Sequence, residues 1–79
     1  MNEGLRKAML GRMKALSVKI AALNTTADEL VRSAILLDGE PIAQTLLGRA
    51  QRRRVQVLVM QGRLAALRER YDTRFRPMP

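Results

Sequence analysis

Apolar residues recur along nearly the whole chain with alternating gaps of three and four, and the recurrence is interrupted once, at Asp38-Gly39-Glu40-Pro41. The first row is Met9, Met13, Leu16, Ile20, Leu23, Ala27, Leu30, Ala34 and Leu37; the second is Ala43, Leu46, Ala50, Arg53, Val57, Met60, Leu64, Leu67 and Tyr71. This is the heptad period, which places one stripe of an α-helix against a neighbouring helix. At the interruption, Gly39 can take the left-handed conformation that closes a helix, and Pro41 has its φ preset for the first turn of the next. The expected fold is all-α: a single domain over 1–79 forming a long antiparallel, coiled-coil-like hairpin. Its parts are a helix over about 2–37, a turn over 38–41, a second helix over about 41–75 and a frayed tail over 76–79, which holds Pro77 and Pro79.

A short turn fixes the register of the two arms. Folding at Gly39 to Pro41 sets Leu37 against Ala43, Ala34 against Leu46, Leu30 against Ala50 and Leu23 against Val57. Further from the turn, Ile20 meets Met60, Leu16 meets Leu64, Met13 meets Leu67 and Met9 meets Tyr71. These pairings are one agreement between turn position and seam phase, since each follows from the first. Small residues face large ones near the turn, which suits close helix approach, and larger pairs fill the open end. Arms of about 35 residues would span roughly 50 Å at the helical rise.

Three places carry competing readings. Asn24-Thr25-Thr26 has the chemistry of a helix stop followed by a new N-cap, with Asp28 and Glu29 in the next first turn, but the seam passes through without a change of phase. The unbroken phase favours one continuous helix over a kinked one. Val55 to Met60 is rich in β-branched residues, as a short strand would be, although the helical phase on both sides argues against one. Arg53 falls in the seam opposite Ala27; its guanidinium reaches Asp28 or Glu29 as a rim ion pair, or it forms a polar layer that sets register.

A second apolar surface lies away from the seam: Val31, Ile35 and Leu36 on the first arm, and Leu47, Val55, Leu58 and Val59 on the second. A hairpin of two helices cannot bury both. With 79 residues, no Cys and no His, disulfides and zinc centres built on those ligands are absent, so self-association is the expected source of further burial. The expectation is a homodimer forming a four-helix bundle, with these seven residues at the interface between copies or with a partner.

The formal charge is +8, with Arg outnumbering Lys twelve to three. Such a balance implies an acidic partner: a protein surface, a nucleic acid or an anionic membrane. The Arg bias suits bidentate contacts to carboxylate and phosphate, and a GC-rich coding sequence would produce it equally. Residues 1–20 and 60–79, which meet at the open end, hold ten basic and three acidic residues, whereas 21–59 hold five and four. The basic partner-binding surface is therefore assigned to Arg6, Arg12, Arg63, Arg68, Arg70 and Arg74 at the open end, with a second cluster of Arg49, Arg52 and Arg54. A solvated face that keeps an apolar hairpin soluble accounts for the same charges.

No apolar run approaches the roughly 18 residues of a membrane span, and no secretory signal core is present. A cytoplasmic protein is expected. The segment from Leu5 to Leu23 is basic and amphipathic, as a membrane-surface helix would be, but its stripe continues beyond it, which favours packing. Catalysis is not expected: Ser17 and Ser33 have no histidine to activate them, and Asp28, Glu29, Asp38 and Glu40 gather near the turn, where solvation or helix-end roles account for them. No cofactor, metal or small-molecule substrate is called for. Gly4, Gly11, Gly48 and Gly62 are isolated in helical pattern rather than in a phosphate loop, and would allow close helix contact.

In size and layout the chain resembles the small helix-hairpin dimers that bind RNA and regulate plasmid copy number, and the short two-helix chaperones and phage-encoded inhibitors that dock on larger proteins. No shared motif carries a residue across. The function expected is that of a non-enzymatic interaction protein (adaptor, chaperone or inhibitor) that self-associates and docks on an acidic protein. The alternative is a basic hairpin dimer that binds the backbone of RNA or DNA as a small regulator. One Tyr, one Phe and no Trp leave little for stacking single-stranded bases.

Overall fold

Two helices, α1 (Glu3–Leu36) and α2 (Pro41–Phe75), fold against each other as an antiparallel hairpin in the computed structural model, which describes residues 2–75. The frayed tail expected over 76–79 lies outside the described residues. The molecule measures 59 × 18 × 16 Å.

The turn forms as the local chemistry requires. Leu37 N–H donates to Ser33 O at 3.1 Å and Asp38 N–H to Ile35 O at 3.3 Å, tightening the end of α1. Glu40 N–H then donates to Leu37 O at 2.9 Å, closing a four-residue turn whose third position, Gly39, has φ +89°. Positive φ at that position is what a side chain would oppose. Pro41 opens α2, where its missing N–H leaves no helical hydrogen bond unmade.

Every residue of the two heptad rows is buried or half-buried except Leu37, which is 40% exposed. Leu37 departs from the seam because α1 ends at Leu36 and the backbone has already turned. The fully buried set among the described residues is Ala27, Ala34, Ala43, Ala50, Val57, Leu64 and Leu67. The four alanines all lie towards the turn and the three larger residues towards the open end, which is the gradient expected from the pairing. Arg6 Nε donates to Tyr71 Oη at 3.1 Å and Arg54 Nη2 lies 2.9 Å from Asp28 Oδ1, so side chains of the two arms meet at the open end and at midlength, within about one helical turn of the expected pairing.

α1 runs through Asn24-Thr25-Thr26 without a break. Thr25 Oγ1 donates to Ala21 O at 3.0 Å, one turn back, so its hydroxyl is used within the helix instead of capping a new one. Ala27, immediately after, is 0% exposed and is the tightest point of the seam. Val55 to Met60 is helical, and the described residues contain no strand.

Two local expectations are corrected. The isolated glycines do not mediate close helix contact: a Cβ at Gly4, Gly11 or Gly62 would meet nothing within 4 Å, and at Gly48 only Arg52 Nη1 at 3.9 Å. They lie on the outer side of each helix, away from the seam. Nor does Arg53 reach Asp28 or Glu29; its Nη1 donates to Gln56 Oε1 at 3.3 Å, and Arg54 takes Asp28 instead. The reason is angular. From the seam, the Arg53 side chain emerges on the side of the hairpin where Gln56 sits, whereas Asp28 and Arg54 share the opposite side; this accounts for Asp28, and nothing in the geometry accounts for Glu29, which lies on the Gln56 side.

Candidate functional surfaces

Lettering the heptads with Met13 and Ala43 at position a, the flanking positions divide the hairpin into two broad faces. Positions e and b of both helices open on one face, and positions g and c on the other. The Asp28–Arg54 pair belongs to the first, joining position b of α1 to position e of α2.

The first face is apolar near the turn. Ile35 and Leu47 line an open depression there with Ala34, Ala43 and Gln44, bounded by the turn residues from Asp38 to Pro41. Val31, half-buried, is on the same face, and Leu58, 67% exposed, lies about 16 Å further along α2, eleven residues from Leu47. The seven residues of the expected interface are thus not one surface. Val31, Ile35, Leu47 and Leu58 share this face; Leu36 and Val59 occupy position c on the opposite one, and Val55 sits on the outer edge of α2. Leu36 is the most exposed large apolar residue of the chain among those described, at 85%.

The second face is basic near the open end. One depression is lined by Arg12, Ala15, Leu16, Lys19, Arg63, Ala66, Leu67 and Arg70. Its neighbour adds Leu5, Met9, Glu69, Thr73 and Arg74 and shares Arg12, Ala66, Leu67 and Arg70, so the two form one continuous groove. Of the expected basic surface, Arg12, Arg63 and Arg70 converge here, with Arg74 at the groove's end and Arg49 and Arg52 further along the same face. Arg68 falls on the opposite face and Arg54 is ion-paired there. Lys19 joins the groove, whereas Lys7 and Lys14, at position b, do not. Heptad lettering alone carries that partition; grouping charges by segment misses it.

Arg6 occupies the seam line at the open end. It donates to Tyr71 Oη and lies 3.2 Å from Glu3 Oε1, and the hydroxyl of Tyr71 first, then the carboxylate of Glu3, raise its pKa above the ordinary value. The Tyr71 ring packs against Phe75 with centroids 5.1 Å apart, so both aromatic rings of the chain are engaged at this end. Arg6 therefore acts as the lid of the seam and is already partnered.

Among the described residues no group of three or more His, Cys, Asp or Glu side chains is placed to hold a metal ion. No described helix is long and apolar enough to cross a membrane. Comparison with protein-family models, with curated proteins and with solved structures finds no match.

Proposed function

We propose that this chain is a non-enzymatic interaction protein that pairs with a second copy through its turn-proximal apolar face and presents its basic open ends to an acidic protein partner. The observation that carries this reading is the apolar cluster Val31, Ile35, Leu47 and Leu58 on one face of a hairpin whose own seam has no room for it.

Area and charge both support a second copy as the occupant. The accessible surface is 6184 Å² for a mass of 8.9 kDa. A compact monomer of that mass exposes about 4,800 Å², so the rod carries a surplus of about 1,400 Å², more than the roughly 800 Å² per partner that a standard protein interface removes. Residues 21–59 carry five basic and four acidic residues, so two turn halves can meet with little repulsion, while the ten basic and three acidic residues of the open halves oppose any alignment that stacks them together. A two-fold axis through the turn halves satisfies both: it builds a four-helix bundle at the centre and sends the basic ends to opposite poles.

The test is sedimentation equilibrium on the wild type and on a Leu47→Glu, Leu58→Glu double variant, with circular dichroism to follow helix content. A dimeric wild type and a helical, monomeric double variant are expected. A wild type that stays monomeric at high micromolar concentration, or a double variant that dimerises as well as the wild type, overturns the reading.

A further inference from the structure

The groove between the open halves has a composition that self-association does not use. It is lined by Arg12 and Lys19 from α1 and Arg63 and Arg70 from α2, all at position g; Leu16 and Leu67 of the seam lie between them, and the exposed Ala15 and Ala66, at position c, lie on its outer flanks. By the register of the hairpin, Arg12 lies across from Arg70 and Lys19 across from Arg63. In a two-helix coiled coil, facing flank positions are where opposite charges pair across the seam. Here both facing pairs are cation against cation, and no acidic side chain lines this part of the groove. An anionic occupant gives each of the four cations a counter-charge that this part of the groove does not supply.

We infer that this groove is the docking site for the partner, and that the partner element is an acidic amphipathic helix, laid along the groove as a third helix. This rests on the proposed interaction function and names the chemistry of its partner. Three features select the occupant. A second copy is disfavoured, because its open half brings the same four cations and its turn half is engaged in the proposed pairing of copies. A nucleic-acid backbone would satisfy the cations but has nothing to set on the leucines between them, and the two aromatic rings that could stack on bases are packed on each other at the end of the seam. A helix with a leucine stripe bordered by Glu meets both: the stripe covers Leu16 and Leu67, and the small alanines on the flanks leave room for its sides. Arg12 and Lys19 are seven residues apart, about 10 Å along the axis, which matches carboxylates one heptad apart on the incoming helix.

The experiment uses the full-length protein and a synthetic helical peptide of about 18 residues, long enough for five turns, with a leucine stripe flanked by Glu. Its controls are a peptide of the same composition with the stripe scrambled, and a short RNA duplex. Binding is read by fluorescence anisotropy at physiological ionic strength. The amphipathic peptide is expected to bind about tenfold or more tightly than the scrambled one, a difference that delocalised charge does not produce. Arg63→Gln with Arg70→Gln should weaken it by about tenfold or more, whereas Lys7→Gln with Lys14→Gln, the same change of net charge on the other face, should change it by less than about twofold. Ala66→Gln, which leaves the charge intact and puts a bulky polar side chain on the flank the peptide covers, should also weaken its binding.

Equal binding of the scrambled peptide, tighter binding of the duplex, equal losses from the two double variants, or indifference to Ala66→Gln would each overturn the inference. All four substituted side chains other than Ala66 are exposed cations whose removal leaves the seam intact. Sedimentation of the same variants separates this result from self-association: a dimer that fails to bind the peptide refutes the groove and leaves the pairing of copies standing.

Discussion

Arg54 and Asp28 join the two helices at midlength with an N–O separation of 2.9 Å, beside the layer in which Arg53 crosses Ala27. The two contacts differ sharply in weight. Both side chains of the ion pair are about half exposed (47% and 54%), so solvent screens the attraction and the pair contributes at most about 1 kcal/mol. Ala27 is 0% exposed, and any added volume there must push the helices apart. Asp28→Ala is expected to lower stability by less than about 0.5 kcal/mol, and Ala27→Leu by about 1–3 kcal/mol through overpacking. Urea unfolding followed by circular dichroism, at one fixed protein concentration, measures both.

The glycines separate into two kinds, with opposite expected signs. Gly11 and Gly62 lie in helix interiors with open space where a Cβ would go, so Gly11→Ala and Gly62→Ala should each stabilise by up to about 1 kcal/mol through helix propensity. Gly39 also has open space but sits at φ +89°, so Gly39→Ala should destabilise by about 1 kcal/mol from backbone conformation alone. Thermal melts of the three variants decide this by direction, and stabilisation in Gly39→Ala would contradict the turn geometry.

Thr26 gives a sign test for the continuity of α1. If Thr26 capped a new helix, with Glu29 completing a capping box, Thr26→Ala would remove a cap and destabilise by about 1 kcal/mol. In the continuous helix Thr26 is an exposed interior residue of low helix propensity, so the same substitution should stabilise by roughly 0.5 kcal/mol. The midpoint of urea unfolding should therefore rise.

The heptad rows made most of this geometry legible, because a seam on each arm and a single turn leave one register. Arg53 shows where that legibility stops. Its place in the seam could be read, but choosing between Gln56 and Asp28 as its partner depends on which side of the seam the side chain leaves, and chemistry alone favoured the carboxylate. Continuity through Asn24 to Thr26 was favoured by phase but opposed by local capping chemistry, and the Thr25 bond to Ala21 O is the detail that reconciles them. The basic residues were visible as charge, yet their convergence was not, since Arg68 and Arg70 are neighbours in sequence and lie on opposite faces. The identity of a partner has no such internal trace, because a docking surface records only its complement.

The division into faces changes what an apolar substitution should do. Leu36 is the most exposed apolar residue described, at 85%, and on exposure alone Leu36→Glu would be the obvious way to break a dimer. Its position c places it with the basic face, away from Ile35 and Leu47, so it lies outside the proposed contact between copies. Leu36→Glu should leave the dimer dissociation constant within about threefold of the wild type, whereas Ile35→Glu should raise it by about a hundredfold or more, since it places an unpaired charge at a buried contact. The pairing of turn halves should also respond weakly to salt, because those halves are nearly neutral and the basic ends are held apart. Sedimentation equilibrium at low and high salt measures both effects. Dissociation by Leu36→Glu with Ile35→Glu unaffected would move the interface to the opposite face, the one that carries the groove at its other end.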